Sequence, residues 1–258
     1  MVYSASLVKG NHNVKKEYWY ILIAYIGMQL SSFVGVPAVT FSGMLFGYSL
    51  EEMAVYSVVI WIVLSFTVTL IIVLFLLRKE LKEPSDLRDA APIEKSVLWA
   101  IGGVFLALFA QGIAANIENW LGVEMGSENT QQILTLIESF PVVVIVSSVI
   151  GPILEEIVFR KILFGSLYKR FNFFLSALIS SVIFALAHAE PDHLLLYSAM
   201  GFTFAFLYIK TKRILVPIFA HVAMNTFVVL VQSVFKEDID KMLRAAEKIQ
   251  SFIGGLFV

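Results

Sequence analysis

Charged residues divide this chain into long apolar segments, and that pattern limits its possible folds more than any other feature. The clearest segment, residues 54–77, contains no Asp, Glu, Lys or Arg and ends at Arg78 and Lys79. A helix that crosses the hydrocarbon core of a bilayer needs about 20 mainly apolar residues. Seven segments approach that length, and we predict a membrane span in each: residues 18–39, 54–77, 96–115, 140–167, 173–188, 193–209 and 214–235.

The composition agrees with a lipid bilayer as the main surroundings of the chain. Hydrophobic residues make up 59% of its 258 residues and charged residues only 15%, which lies outside the usage of soluble domains. The formal net charge of −1 creates no field that would attract nucleic acid, so we expect no nucleic-acid partner. The sequence contains no cysteine, which excludes a cysteine nucleophile and thiolate metal ligands. We therefore predict an all-α polytopic helix bundle that forms a single transmembrane domain over residues 1–258.

The distribution of Lys and Arg predicts the orientation of the bundle. Basic residues precede the first span and occupy the second, fourth and sixth connections, whereas the other three connections carry acidic residues only. Lys and Arg near the ends of spans are retained on the cytoplasmic side. We therefore expect an integral protein of the cell membrane with its N-terminus in the cytoplasm.

The tail, residues 236–258, does not fit this count. With seven spans it ends outside the cell, yet it carries Lys236, Lys241, Arg244 and Lys248. Its apolar residues recur at helical spacing, which is typical of an amphipathic helix in the membrane interface. Alternatively, the stretch 18–48 is interrupted at Pro37, contributes an additional half-span and brings the number of spans to eight.

In the fourth segment, the stretch G-P-I-L-E-E-I-V-F-R places Glu155, Glu156 and Arg160 among apolar residues. Such residues within a span cost roughly 2.5–3.5 kcal/mol on insertion scales and are candidates for function. Only Glu156 lies four residues before Arg160, which predicts an ion pair on one face of the helix. Glu155 has no counterion on its helix and is a candidate general base. The alternative is a structural ion pair, with Glu155 reaching toward water.

Two later segments each pair a histidine with another residue four positions away. His188 follows Phe184, and His221 precedes Asn225. Each pair alone could serve as a packed core contact or an interhelical hydrogen bond. Together, Glu155, the two histidines and Asn225 could activate a water and stabilise an oxyanion, which favours peptide hydrolysis. Two imidazoles and a carboxylate could also bind zinc, although the H-E-x-x-H motif is absent.

On ideal helices, these candidate residues would lie at different depths in the membrane. Measured from the basic ends, His221 lies about 12 Å deep, Glu155 about 20 Å and His188 about 25 Å. For them to meet, the fourth span must project from the membrane, the fifth must tilt, or the turn at residues 189–193 must lie below the outer surface.

Three motifs occur in order, and in them the sequence resembles a known family. They are E-E-x-x-x-R, F-x-x-x-H and H-x-x-x-N, within residues 151–225. The family is the CPBP family, the CAAX proteases and bacteriocin-processing enzymes that are also called Abi intramembrane metalloproteases. The resemblance implies an all-helical membrane peptidase with its catalytic core at about residues 140–235, a cavity toward the cytoplasm, and a membrane-associated peptide or protein as substrate.

The resemblance also implies roles for the motif residues. Glu155 and His188 would hold the attacking water, and His221 and Asn225 would bind the oxyanion. Glu156 and Arg160 would set the shape and charge of the site. Zinc, if used, would be held by Glu155, His188 and His221. The alternatives are a non-proteolytic membrane scaffold and a transporter that couples protons through Glu155, although no internal repeat of the transporter kind is visible in the sequence.

Overall fold

The computed structural model describes residues 14–82 and 89–235, together with residues 241 and 245. Within these ranges the chain forms helices and no strands, which confirms the predicted all-α bundle. We number the helices α1 (Lys16–Leu45), α2 (Leu50–Lys82), α3 (Ile93–Trp120), α4 (Glu128–Ser139), α5 (143–168), α6 (Phe173–Leu186), α7 (Leu194–Thr211) and α8 (Leu215–Val234).

A helix occupies each of the seven segments that hydropathy predicts as spans. Within the described residues, α1, α2, α3, α8 and α7 with its preceding turn are long and apolar enough to cross a bilayer. α6 is apolar but has only 14 residues, fewer than the roughly 20 that a full crossing needs. Large apolar side chains cover the outer surface of the bundle, such as Phe33 and Phe105, which are 79% and 68% exposed. In a membrane, this surface contacts lipid.

α5 is central to the bundle and alternates between α-helical and π-helical turns. The π-helical turns are Val146–Ile150 and Glu156–Phe164. Pro152 has no N–H, and its ring would clash with the carbonyl of Ser148 in a regular α-helix, which accounts for the interruption before it. π-Helical turns are rare and are often found at functional sites. The first sequence motif lies on this irregular helix.

Glycines allow helices to approach closely at two places. A Cβ atom at Gly35 of α1 would lie 1.9 Å from Cε2 of Trp61 on α2, so the indole ring packs directly on the glycine. A Cβ atom at Gly103 of α3 would lie 2.6 Å from Cδ1 of Leu207 on α7. The hairpin of α1 and α2 and the contact of α3 with α7 therefore depend on the absence of a side chain.

The sequence pattern failed to predict α4. This 12-residue amphipathic helix lies in the connection between the third and fourth spans, and the side chain of Ser127 caps it by accepting a hydrogen bond from the N–H of Thr130. Its buried residues are Leu134 and Ile137. α4 is too short to span a bilayer, and a search for long apolar segments does not find it.

Of the two explanations for the basic tail, the structure bears on the half-span in the first apolar stretch but not on the amphipathic helix. α1 continues through Pro37 without interruption, so the first apolar stretch is one helix and does not supply the additional half-span. The amphipathic helix predicted at residues 236–258 lies outside the described residues except for positions 241 and 245.

Candidate active site

Glu156 and Arg160 of the first motif form an ion pair in the interior of the bundle. Glu156 is 0% and Arg160 1% exposed, and Nη1 of Arg160 lies 3.2 Å from Oε1 of Glu156. This is the i,i+4 pair that the spacing predicts. Removing either partner would leave a buried charge without its counterion.

Aromatic rings surround the guanidinium group of Arg160. Its central carbon lies 4.1 Å from the ring centroid of Phe184 on α6 and 5.2 Å from that of Phe204 on α7. Neither Nη1 nor Nη2 has hydrogen-bond geometry to a partner among the described residues. The ion pair and the attraction between the cation and the aromatic faces therefore stabilise the charge.

His221 of α8 lies between the two glutamates. Its Nδ1 is 2.8 Å from Oε1 of Glu156, and its Nε2 is 3.8 Å from Oε2 of Glu155. The ring is 1% exposed and stacks on Phe204 at 4.6 Å. Because the ionised carboxylate of Glu156 can only accept a hydrogen bond, Nδ1 of His221 donates it. This bond directs Nε2 toward Glu155.

His188 lies just beyond the end of α6 and is oriented by the backbone. Its Nδ1 is 2.8 Å from the carbonyl oxygen of Phe184, and its ring meets the ring of Phe184 edge to face at 4.6 Å. A carbonyl oxygen only accepts, so Nδ1 carries the proton, and Nε2 of the neutral imidazole is an acceptor. The F-x-x-x-H spacing thus fixes the tautomer as well as the face of the histidine.

Two cavities meet at the candidate residues and share His188 and Asn225 in their walls. The first has a volume of about 440 Å³ and includes Glu155. The second has a volume of about 360 Å³ and includes His221. Both volumes are in the range of small ligand sites, about 300–1,000 Å³. Helix α4, which the sequence did not predict, contributes Asn129 and Ile133 to both walls.

The structure therefore brings all six candidate residues together from α5, α8 and the end of α6. Glu155, His188, His221 and Asn225 line the cavities. Glu156 and Arg160 are buried behind them. The side chain of Glu155 is 19% exposed, as expected of a carboxylate that faces a cavity.

The turn at residues 189–193 is attached to the bundle through Glu190 and His193, although Ala189, Pro191 and Asp192 are exposed. Ala189 adopts a left-handed backbone conformation with φ of 57°. The carboxylate of Glu190 accepts hydrogen bonds from the backbone N–H of Asn129 at 2.7 Å and the hydroxyl of Ser127 at 2.7 Å. Burial raises the pKa of Glu190, but these bonds and the one from Tyr197 outweigh it and hold the pKa below its usual value.

His193 and Glu118 complete the attachment of this turn. His193 is 8% exposed, with Nδ1 3.0 Å from the carboxylate of Glu118 and Nε2 3.1 Å from the carbonyl oxygen of Gly126. Glu118 also accepts the N–H of Leu196 at 2.8 Å. The sequence did not reveal this pair, because no local spacing relates two residues that are 75 positions apart.

The three residues predicted as zinc ligands do not form a ligand set in this structure. Among the described residues, no three His, Asp or Glu side chains are arranged to hold a metal ion. Oε2 of Glu155 lies 3.8 Å from Nε2 of His221, but His188 does not form a group of three metal-binding side chains with them. Their donor atoms suit zinc, whereas their arrangement does not, and zinc binding stays a prediction.

The fold and the site together define a class of protein. Apolar helices long enough to span a bilayer enclose a buried Glu–Arg pair, two histidines and a cavity with a carboxylate in its wall, which is the arrangement expected of an intramembrane peptidase. Residues 137–227 match the model of the type II CAAX prenyl endopeptidase Rce1-like family. No solved structure matches the chain.

Two curated proteins are similar over almost their whole length. The chain is 49% identical over 247 residues to the putative membrane peptidase YdiL of Bacillus subtilis (strain 168), covering 95% of this chain and 100% of that protein. It is 30% identical over 256 residues to the membrane-embedded CAAX protease MroQ of Staphylococcus aureus (strain USA300), covering 93% of this chain and 98% of that protein.

The chain therefore belongs to the Rce1-like family of CAAX proteases, and the family assignment from the three motifs is confirmed. It is an integral membrane protein and a protease. The matched segment contains all seven motif residues, and the similarity to the two relatives extends to α1, α2 and α3.

Proposed function

We propose that this protein is an endopeptidase that hydrolyses a peptide bond of a membrane-associated protein or peptide, with a water molecule activated by Glu155 and His188. One observation carries the proposal: the Glu155 carboxylate and the His188 imidazole line the same cavity. Because Nδ1 of His188 bonds to the carbonyl of Phe184, its Nε2 is the acceptor for a water hydrogen.

The proposed reaction begins with this water. Nε2 of His188 accepts one of its hydrogen bonds, and Glu155 removes a proton as the oxygen attacks the carbonyl carbon of the scissile bond. The tetrahedral intermediate collapses when the C–N bond breaks. Glu155 returns the proton to the leaving nitrogen, so the carboxylate ends the cycle ionised, as it began.

His221 and Asn225 are the proposed donors to the oxyanion. The amide group of Asn225 supplies one N–H, and Nε2 of His221 supplies another when the imidazole is doubly protonated. Glu156 accepts the hydrogen bond from Nδ1 and so fixes the ring. Glu156 and Arg160 act as positioning residues, since both are buried and Glu156 bonds to His221, which lines the cavity.

Zinc assistance is a separate proposal, with Glu155, His188 and His221 as the donors. It requires a rearrangement that brings the three side chains together, because they do not form a ligand set here. Metal analysis of freshly purified protein tests it. One zinc per chain, lost in His188→Ala and His221→Ala, would support the proposal, and metal-free protein that still cleaves would exclude it.

We further propose that the protein lies in the plasma membrane with its N-terminus in the cytoplasm, as the positions of Lys and Arg favour. The chain lacks cysteine, so single cysteines can report the orientation without further mutation. In intact cells, Glu124→Cys between α3 and α4 should react with a membrane-impermeant maleimide, and Lys169→Cys after α5 should react only after lysis. The opposite pattern would reverse the orientation.

Site-directed variants in proteoliposomes test the reaction itself. Glu155→Gln and His188→Ala should each lower kcat/KM on peptides that the wild type cleaves by roughly 10²–10⁴-fold, the range typical of general acid–base groups. Glu124→Gln makes the same chemical change at an exposed loop position and should leave the rate unchanged. Cleavage that survives both site variants would exclude the hydrolase mechanism. Proton-linked flux without a cleaved product would favour the transporter alternative.

A further inference from the structure

The ring of Tyr197 lies flat against the ring of His188. The two ring centroids are 4.0 Å apart, and the ring planes are inclined by only 24°. Tyr197 comes from the second turn of α7, is 6% exposed and belongs to none of the three motifs. Because Phe184 meets the imidazole edge to face at 4.6 Å, His188 has an aromatic neighbour from α6 and another from α7.

Polar groups hold Tyr197 in turn. Its hydroxyl donates to Oε2 of Glu190 at 2.5 Å and lies 3.1 Å from the hydroxyl of Ser127. Ser127 also donates to the same carboxylate oxygen at 2.7 Å. Since Ser127 caps α4, the tyrosine is joined to the cap of α4 and to the turn before α7.

His188 needs such support because of its place in the chain. α6 ends at Leu186, so His188 lies beyond the last regular turn. Backbone hydrogen bonds are incomplete there, and helix ends are the least stable part of a helix. The next residue, Ala189, has a left-handed backbone. A bond from Nδ1 to the carbonyl of Phe184 fixes the tautomer, but one hydrogen bond does not by itself fix the plane of the ring.

We propose that Tyr197 is a positioning residue that sets the ring plane of His188, with Glu190 and Ser127 holding the tyrosine. This inference rests on the proposed role of His188 in water activation. Tyr197 also lines the second cavity, but its hydroxyl is engaged by Glu190 and Ser127, and in this proposal the residue acts through His188. The aromatic ring of Tyr197 contributes more than its hydroxyl to the orientation of the His188 ring.

The test compares three variants of the full-length protein in proteoliposomes, on a peptide that the wild type cleaves. Tyr197→Leu removes the stacked ring and should lower kcat by roughly 10- to 100-fold with KM within about twofold, because a small misplacement of a reacting group is costly to catalysis. Tyr197→Phe keeps the ring and should stay within about threefold of the wild type.

Phe206→Leu is the matched control. Phe206 is on the same helix and packs edge to face on Trp99 at 5.6 Å, away from the site, so its loss should leave kcat unchanged. The proposal is overturned if Tyr197→Leu keeps the wild-type kcat, if Phe206→Leu loses as much activity, or if the loss only follows the folded fraction measured by thermal unfolding.

A second measurement does not depend on activity. In protein labelled with ¹⁵N and ¹³C on histidine, the ring protons of His188, assigned with His188→Gln, should move downfield in Tyr197→Leu and stay in place in Tyr197→Phe. Unchanged signals in Tyr197→Leu would contradict the stacking. Failure of the proposed function can be distinguished from failure of the stacking. In that case, Glu155→Gln and His188→Ala would cleave as the wild type does, while the His188 ring protons would still move downfield in Tyr197→Leu.

Discussion

Nδ1 of His221 and Oε1 of Glu156 are joined by a 2.8 Å hydrogen bond in the interior, although 65 positions separate the two residues. The same carboxylate oxygen lies 3.2 Å from Arg160. One atom of α5 therefore connects the arginine of the first motif with the histidine of the third. The edge of the His221 imidazole that faces Glu155 is therefore oriented by groups buried behind the cavity.

Loss of one partner of the buried ion pair should destabilise the protein strongly. Arg160→Met leaves the Glu156 carboxylate buried without its counterion, and we expect a loss of roughly 3–5 kcal/mol in the free energy of unfolding. The double variant Glu156→Leu with Arg160→Met removes both charges and should recover part of this loss. Thermal unfolding in detergent measures both. A double variant less stable than Arg160→Met would contradict the assignment.

The amide of Asn225 should matter for kcat more than for substrate affinity. If it donates to the oxyanion, Asn225→Ala should lower kcat by about 10²–10³-fold, as loss of one oxyanion donor does elsewhere, with little change in KM. Asn116→Ala removes an asparagine whose side chain donates to the carbonyl of Gly112 in its own helix, and serves as the control. A rise in KM at constant kcat would assign Asn225 to substrate binding instead.

Glu190 should make the stability of the protein depend on acid pH. Its pKa is lowered in the folded state, with the raising effect of burial outweighed by hydrogen bonds from Tyr197, Asn129 and Ser127. Stabilisation by this carboxylate is therefore present above the ordinary glutamate pKa of about 4.3 and is lost as the pH falls through the lower folded value.

Glu190→Gln should accordingly unfold at a lower temperature than the wild type at pH 7, and the difference should shrink below about pH 4.3. Thermal unfolding between neutral and acid pH measures it. Asp192→Asn, in the same turn but exposed, should show no such pH-dependent difference. A gap between Glu190→Gln and the wild type that stays constant with pH would contradict the role of the carboxylate.

Two glycines of α1 should respond in opposite ways to the same substitution. Gly35→Ala places a Cβ atom 1.9 Å from the Trp61 ring, and overpacking of this kind costs about 1–3 kcal/mol. At Gly27 nothing lies within 4 Å of such a Cβ atom, so Gly27→Ala should be neutral or stabilising by up to about 1 kcal/mol. Equal unfolding temperatures for the two variants would contradict the packing of α1 on α2.

Local patterns in the sequence were sufficient to locate the helices in the predicted spans and to identify the family. Hydropathy located the segments of α1, α2, α3 and the later helices of the bundle, because a membrane helix needs a continuous apolar stretch whatever its neighbours. Helical spacing predicted the ion pair of Glu156 and Arg160, and the three motifs predicted the family.

Contacts between different helices and connections were decided only by the tertiary structure. They include the bond between His221 and Glu156, the stacking of Tyr197 on His188, and the pairing of His193 with Glu118. The position of α4 beside the cavities also belongs to this group. Apolar length and i,i+4 spacing act within one helix, whereas the meeting of side chains from different helices depends on how those helices pack, and no short stretch of sequence specifies that arrangement.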